Sequence, residues 1–143
     1  MTGFIDPERT QFETFKGLNR DQPIEMLNLV RFNPRASYPT DHEMFDSDIS
    51  GAEAYARYGA ETAPIIARIG ASITWRGAFQ CTLIGPRDEA WDEIFVARYP
   101  TAHAFLEMVT DPVYKLAVVH RQAAVETSRL IRCAPAKTGG RFG

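Results

Sequence analysis

Residues 23–32 form an almost continuously apolar segment, and this segment constrains the fold more than any other part of the sequence. A strand that is apolar on both faces is typical of the centre of a sheet that is covered on both sides. Asn28 and Arg31 interrupt the segment, and period-two counting puts them on opposite faces. Because a buried amide needs hydrogen-bond partners, Asn28 is either a satisfied core residue or part of a pocket.

The other periodic segments complete a β-α-β-β-α-β order after an added N-terminal helix over residues 6–19. The clearest helix spans residues 51–69, where apolar side chains recur along one stripe. The remaining predicted elements are strands within residues 71–84, 91–99 and 128–133, and helical segments that begin at Pro100 and at Asp111. This order predicts an α+β, ferredoxin-like fold, in which a four-stranded antiparallel sheet carries both main helices on one face.

We predict one domain over residues 1–143, with a core over 23–133 and a loose tail over 136–143. Residues 33–50 have no apolar period, so they are expected to form a long loop that either closes over a ligand or pads a dimer. The strands are too apolar for the second face of the sheet to be left in water. A homodimer with a shared barrel is therefore expected.

Composition excludes several classes of protein. Hydrophobic residues make up 45% of the chain and charged residues 24%, which argues against a disordered protein. The apolar runs are too short for a membrane span, and the start of the chain lacks the pattern of a secretory signal, so a cytoplasmic location is expected. The net charge of −2 and the absence of a basic run disfavour nucleic acid as a partner. Cys81 and Cys133 are expected to be small buried residues.

Five groups of residues carry a resemblance to a known family. They are MLNLVRF at 26–32, GAEAYARY at 51–58, WDE at 91–93 with RYPT at 98–101, FLEM at 105–108 with DPVY at 111–114, and HR at 120–121 with SRL at 128–130. In this order they resemble the bacterial domain-of-unknown-function family 1330, over roughly residues 23–133. Arg76 departs from the small residue expected between Trp75 and Gly77.

The resemblance implies membership of the dimeric α+β barrel superfamily, in which two ferredoxin-like sheets pair face to face and enclose a cavity. It implies little about chemistry, because the family has no established activity. Some members of the superfamily bind haem, so an axial-ligand role for His120 stays open.

Familiar catalytic and cofactor motifs are absent from the sequence. It has no glycine-rich phosphate loop, no G-x-S-x-G turn and no H-E-x-x-H zinc motif. The acidic residues at 41–48 could offer oxygen ligands to a cation, but they lack EF-hand spacing and read more simply as a solvated loop. We therefore predict no cofactor and no metal.

Aromatic and arginine side chains remain as candidates for a small-molecule pocket, because aromatic walls with a few polar groups are how such pockets are built. Arg outnumbers Lys by 13 to 3, and guanidinium groups bind carboxylates well, although a compositional bias of the gene is the simpler explanation of the excess. The predicted substrate-binding residues are Asn28, Tyr55, Tyr58, Trp75, Arg76, Arg98 and Arg121. The alternative for the tyrosines is a core position with the hydroxyl at the rim, and for Arg98 and Arg121 it is a surface ion pair.

Three hypotheses about function follow. The first is a protein that binds a small anionic or aromatic organic molecule in a pocket beside the sheet. The second is a cofactor-independent monooxygenase or isomerase, with His120 as the candidate catalytic base and Arg98 or Arg121 stabilising an oxyanion. The third is a purely structural dimer module, in which His120 is a satisfied core histidine.

Overall fold

Four helices and four strands follow one another in the computed structural model, within the described residues 3–143. In chain order they are α1 (Arg9–Gly17), β1 (Ile24–Phe32), α2 (Gly51–Arg68), β2 (Ser72–Gly77), β3 (Glu93–Tyr99), α3 (Ala102–Thr110), α4 (Pro112–Ala124) and β4 (Val125–Cys133). The strands form one antiparallel sheet in the order β2-β3-β1-β4. The prediction of a ferredoxin-like α+β fold is confirmed.

Strand β1 lies inside the sheet, as its apolar sequence predicted. Asn28 pairs with Phe95 on β3 and with Leu130 on β4, so these three side chains share one face. That face, which also carries Met26, lies towards the helices, and we call it the helix-facing side. The other side, which we call the open face, carries a set of apolar residues that the single chain leaves partly exposed: Leu27, Leu29, Trp75, Ile94, Val96 and Ile131.

Polar side chains determine where three of the helices begin. The Ser50 hydroxyl accepts a hydrogen bond from the Glu53 amide at 3.0 Å, which caps α2. The Thr101 hydroxyl caps α3 by accepting from Ala104 N at 3.1 Å, and Asp111 caps α4 by accepting from Val113 N at 2.7 Å. The N-terminal helix differs from the prediction, because α1 begins at Arg9, after Glu8, which makes no side-chain cap.

Two predicted strands have different lengths in the structure. The strand expected within residues 71–84 ends at Gly77, and residues 78–92 contain no helix or strand. The apolar residues Leu83 and Ile84 suggested a longer strand, but they are 91% and 93% exposed and contribute nothing to the core. The last strand begins at Val125, three residues before the predicted start, because β4 follows α4 directly.

The segment 33–50 is a long connection without helix or strand, and backbone hydrogen bonds hold it in place. Asn33 N donates to Ala124 O at 2.8 Å, and Ser37 N donates to Ala123 O at 2.9 Å, so the segment lies against the end of α4. Its Tyr38 side chain is buried.

Two groups of buried residues form the core. The larger includes Ile24, Met26, Phe95, Tyr99, Phe105 and Met108, and the smaller includes Val30, Tyr38, Ala54, Ala123 and Val125. Cys81 and Cys133 are exposed, so the expectation that they are buried is wrong. The reason is their position, in the irregular segment 78–92 and at the last residue of the outer strand β4. No helix within residues 3–143 is long and apolar enough to cross a membrane.

Candidate binding site

A cavity of about 1260 Å³ lies between the helix-facing side of the sheet and the helices α2 and α4. Its volume exceeds the roughly 300–1,000 Å³ that is typical of sites for drug-sized ligands. The walls are contributed by Met26, Asn28, Phe95 and Ala97 from the sheet, by Tyr55, Tyr58 and Ile66 from α2, and by Tyr114, Val118 and Arg121 from α4. The N-terminal residues Phe4–Glu8 and side chains of α1 form a further wall.

Tyrosine side chains supply hydroxyl groups to this cavity. Tyr55 and Tyr58 are three residues apart on α2, so both lie on one side of the helix, with ring centres 5.5 Å apart. Tyr114 approaches from α4, and its hydroxyl oxygen lies 3.0 Å from that of Tyr58. Only one hydrogen is needed for this hydrogen bond. The second hydroxyl hydrogen of the pair can therefore be donated to a ligand.

These phenols are neutral at pH 7, as tyrosines ordinarily are, and burial disfavours their ionisation further. Burial is the main reason why the pKa of Tyr55, Tyr58, Tyr99 and Tyr114 is raised above the ordinary value for a tyrosine. The positive charge of Arg121 lowers the pKa of Tyr55, Tyr58 and Tyr114, but the effect of burial is larger. At neutral pH the tyrosines are therefore hydrogen-bond donors with no charge.

Arg121 brings a positive charge to the same wall of the cavity. Its Nη1 donates to the backbone oxygen of Ile5 at 2.5 Å, and its Nη2 donates to the Ser128 hydroxyl at 3.2 Å. A guanidinium group has five N–H donors, so these two contacts leave others for a ligand.

Two further polar residues stand on the sheet side of the cavity. The Arg76 guanidinium lies over the Phe95 ring, 5.0 Å from its centre, and pairs with the Glu93 carboxylate at 3.2 Å. Asn28 donates its amide hydrogen to Met26 O at 3.0 Å, which leaves its Oδ1 as an acceptor. The cavity thus combines a large apolar surface with hydrogen-bond donors, acceptors and four guanidinium groups, those of Arg76, Arg121, Arg129 and Arg132.

The structure brings together five of the residues that the sequence singled out. Asn28, Tyr55, Tyr58, Arg76 and Arg121 all line the cavity. Trp75 and Arg98 do not, although each is next in sequence to a residue that does.

Trp75 and Arg98 lie on the open face instead. Trp75 pairs with Val96 and is 56% exposed. Arg98 pairs with Glu25 in the sheet, and their side chains are 3.9 Å apart. Alternation along the strand directs both side chains away from the cavity.

His120 also lies outside the cavity, although it precedes Arg121 directly. It is only 7% exposed, its Nδ1 lies 2.6 Å from the Tyr38 hydroxyl, and its Nε2 lies 2.7 Å from the Glu61 carboxylate. Successive residues on a helix are rotated by about 100°, which separates the two side chains. The structure therefore does not bring the candidate base to the candidate binding residues, and both ring nitrogens that could bind haem already have partners.

Sequence reasoning missed Tyr114 and the N-terminal wall. Tyr114, Val118 and Arg121 recur at i, i+4 and i+7 along α4, and this spacing could have indicated a shared face. No local signal places Phe4 or Ile5 at the cavity, because they reach it through contacts with the far end of the chain. Among residues 3–143, no three His, Cys, Asp or Glu side chains lie close enough to hold a metal ion.

The fold and the cavity define a ferredoxin-like α+β protein with room for a ligand of considerable size. The family model described as Domain of unknown function (DUF1330) matches residues 43–132. The chain belongs to this family, as the resemblance of its motifs predicted.

Among solved structures, a protein of unknown function from Rhodopseudomonas palustris is 52% identical, with a TM-score of 0.88 over 96% of this chain and 100% of that chain. The methylated form of that protein matches with a TM-score of 0.90 over 98% and 100%. SnoaB, a cofactor-independent oxygenase from Streptomyces nogalater, is 18% identical, with a TM-score of 0.49 over 82% and 96%. A likeness as low as that to SnoaB says nothing about the chemistry of this chain. Among curated proteins, none matches the sequence significantly.

Proposed function

We propose that this protein binds a small organic molecule with an aromatic or apolar body and an anionic group in the cavity between the sheet and the helices. One observation carries the proposal: the hydroxyl pair of Tyr58 and Tyr114 and the guanidinium of Arg121 border the same large, mainly apolar cavity. Apolar walls with a few polar groups are the usual construction of a small-molecule site.

The charges around the cavity favour an anion. The phenols donate hydrogen bonds without adding negative charge, and Arg121 adds a positive charge. Two acids line the cavity: Asp6, which accepts a hydrogen bond from Gln122 at 3.1 Å, and Glu8, which is exposed. Four lining arginines outnumber them, although Arg76 is paired with Glu93. A carboxylate, sulfonate or enolate could accept hydrogen bonds from the phenols and the guanidinium, and charge-assisted bonds of this kind are the stronger ones.

Catalysis is the weaker candidate. Tyr58, Tyr114 and Arg121 could stabilise an oxyanion, as a cofactor-independent monooxygenase or isomerase would require. Such an enzyme also needs a base within reach of the substrate. Among the described residues that line the cavity there is no histidine, and the two carboxylates, Asp6 and Glu8, belong to exposed residues. The purely structural alternative is disfavoured by the cavity itself. Protein interiors are normally close-packed, so an unfilled space of this size is unusual in a protein that binds no ligand.

We also propose that the protein is a homodimer formed through the open face. Leu27, Leu29, Ile94 and Val96 are side by side on the central strands, and the single chain leaves them only half-buried. A contiguous apolar surface of this kind marks an interface, and a second copy covers both faces at once.

A thermal-shift comparison of 1-naphthoate with its neutral carboxamide tests the binding proposal. The acid is expected to raise the unfolding temperature more than the amide, because a ligand that binds only the folded state stabilises it. Tyr58→Phe combined with Tyr114→Phe removes the donor to the charged group, whichever phenol supplies it. Such a hydrogen bond is worth about 1.5–3 kcal/mol, so naphthoate affinity should fall by at least about tenfold.

Tyr38→Phe is the matched control, since it removes a buried hydroxyl outside the cavity. Its naphthoate-induced shift, measured from its own baseline, should equal that of the unaltered protein. A wild-type protein that responds to neither compound, or a Tyr58→Phe, Tyr114→Phe double variant that binds naphthoate normally, would contradict the proposal.

A further inference from the structure

The first described residues of the chain form a wall of the cavity and are attached to the edge of the sheet. We call residues 3–8 the N-terminal arm. Phe4 N donates to the Thr127 hydroxyl at 3.1 Å, and Ser128 N donates to Phe4 O at 2.7 Å. Because β4 is an outer strand, the arm uses backbone groups that the sheet itself leaves unpaired.

Gly3 allows the arm to approach β4 this closely. A Cβ atom at this position would stand 1.8 Å from the backbone oxygen of Glu126. Since that atom belongs to the backbone, it cannot move aside as a flexible side chain could. Any residue other than glycine therefore pushes the arm away from the strand.

Helix α1, which follows the arm, has attachments of its own, because Phe12 and Phe15 pack against the larger core group. Helix α1 has nine residues and none of them is buried, while Phe12 and Phe15 are half-buried and line the cavity. A helix of this length is marginal in isolation and depends on its packing. Its far end is attached to the sheet by Arg132, whose Nη1 donates to Phe15 O at 3.0 Å. These contacts do not involve residues 3–8, so detachment of the arm would leave the end of α1 in place.

Arg121 connects the arm to the proposed ligand site. Its guanidinium donates to Ile5 O in the arm and to Ser128, and Arg121 lines the same cavity as Tyr58 and Tyr114. A bound anion on Arg121 would lie next to the arm. It would contact Phe4 and Ile5 only while the arm is docked, and a ligand favours the state with which it makes more contacts.

We propose that the N-terminal arm is the gate of the cavity: it leaves the edge of β4 to admit an aromatic anion and docks again over it. This inference rests on the proposed function, because it names the element that controls access to the same site. It requires that ligand exchange be limited by detachment of the arm, and that a bound ligand slow this detachment.

The experiment compares Gly3→Ala with Gly17→Ala. The first variant places a methyl group against Glu126 O, and the second places the same group where nothing lies within 4 Å. Neither position lines the cavity. Thr127→Val is a second way to weaken docking, since it removes the acceptor for Phe4 N and also lies outside the cavity.

Two measurements are needed. Hydrogen exchange of the Ser128 amide, which donates to Phe4 O, reports arm docking without any ligand. Stopped-flow fluorescence of 1-anilinonaphthalene-8-sulfonate, an aromatic anion, reports entry to and exit from the cavity. In Gly3→Ala and Thr127→Val both the exchange rate and the dye dissociation rate should rise by about tenfold or more, as expected when a hydrogen bond of roughly 1.4 kcal/mol is lost. Gly17→Ala should change neither rate, and the dye should slow Ser128 exchange in the unaltered protein.

The possible failures are distinguishable. If Ser128 exchange accelerates in Gly3→Ala while dye rates stay unchanged, the arm is not the gate, and the binding proposal still stands. If Ser128 exchange is unchanged in both Gly3→Ala and Thr127→Val, the arm is not held as proposed, and the inference is overturned. If the unaltered protein binds neither the dye nor naphthoate, the proposed function fails, and the gate fails with it.

Discussion

The adjacent residues His120 and Arg121 on α4 have different environments, because the helix directs their side chains towards different parts of the molecule. Arg121 faces the cavity, whereas His120 is buried between Tyr38 and Glu61. If Nε2 carries the hydrogen that Glu61 accepts, Nδ1 is free to accept the Tyr38 hydroxyl hydrogen. The three side chains then satisfy one another and hold the segment 33–50 against α4. This makes His120 a structural link in the fold.

Removing the Tyr38 hydroxyl should therefore lower stability. Tyr38→Phe leaves the buried Nδ1 of His120 without its partner, which costs about 1–3 kcal/mol in the free energy of unfolding. Tyr99→Phe is the matched control, because among residues 3–143 the Tyr99 hydroxyl makes only a long contact of 4.0 Å with Met108 Sδ. Urea denaturation measures both variants. Equal losses in the two variants would show that the Tyr38–His120 contact contributes nothing particular.

The contrast between His120 and Arg121 also shows how far the sequence alone leads. Local patterns suffice to predict β1 and α2, because apolar continuity and helical spacing are properties of neighbouring residues. They do not reveal which side of α4 faces the cavity, since that depends on packing against distant strands. The docking of the N-terminal arm is even harder to predict from the sequence, because Phe4 and Thr127 are 123 positions apart and no periodicity connects them.

At the scale of single elements, the hydrogen bonds of capping side chains determine where helices begin. Asp6–Pro7 and Asp111–Pro112 have the same pattern for a helix start, but only the second caps a helix. The Asp6 carboxylate accepts from Gln122 on α4, so a tertiary contact has displaced the local one. A sequence motif therefore predicts only one of the hydrogen bonds that a polar side chain can make, and a tertiary partner can replace it.

The cap of α4 should produce a pH dependence of stability. Hydrogen bonding to the Val113 amide, with a smaller contribution from Arg68, holds the pKa of Asp111 below its usual value. The stabilisation is therefore present above the usual carboxyl pKa and is lost as pH falls through the lowered pKa. Asp111→Ala should be less stable than the unaltered protein at pH 7, and this difference should shrink in acid.

Thermal unfolding over a pH series measures the effect of Asp111. Asp111→Asn separates the cap from the charge, because asparagine caps helices well and carries no charge. At neutral pH the unfolding temperature of Asp111→Asn should lie between those of Asp111→Ala and the unaltered protein. Its stability should also depend less on pH than that of the unaltered protein. A constant difference between Asp111→Ala and the unaltered protein down to strongly acidic pH would argue against this account of the cap.

At the scale of the whole molecule, the two sides of the sheet are used differently. The helix-facing side borders the cavity, and the open face is left apolar and half-exposed. The order of helices and strands predicted this division, because a ferredoxin-like sheet carries its helices on one side only. The size of the cavity could not be predicted, since it depends on how far the helices stand from the sheet and on the arm that closes one wall.

The proposed dimer predicts that a charged residue on the open face prevents association. Leu27 on β1 lies directly opposite Val96 and Ile131, at the centre of this face. Leu27→Asp would bury an unpaired carboxylate in an interface, so it should convert a dimer into a monomer at micromolar concentration. Leu116→Asp makes the same chemical change on α4, where the side chain is 72% exposed, and should leave the dimer intact.

Sedimentation equilibrium determines the masses of the dimer variants, and far-ultraviolet circular dichroism shows whether each is folded. If Leu27→Asp unfolds, Ile131→Asp offers a second position on the open face. The Ile131 side chain is already 46% exposed, so a charge there is less destabilising to the single chain. A stable interface of this class buries about 1,200–2,000 Å² in total, which requires most of the open face on both copies. If folded Leu27→Asp or Ile131→Asp protein remains dimeric, the copies associate through another surface, and the open face must be covered in some other way.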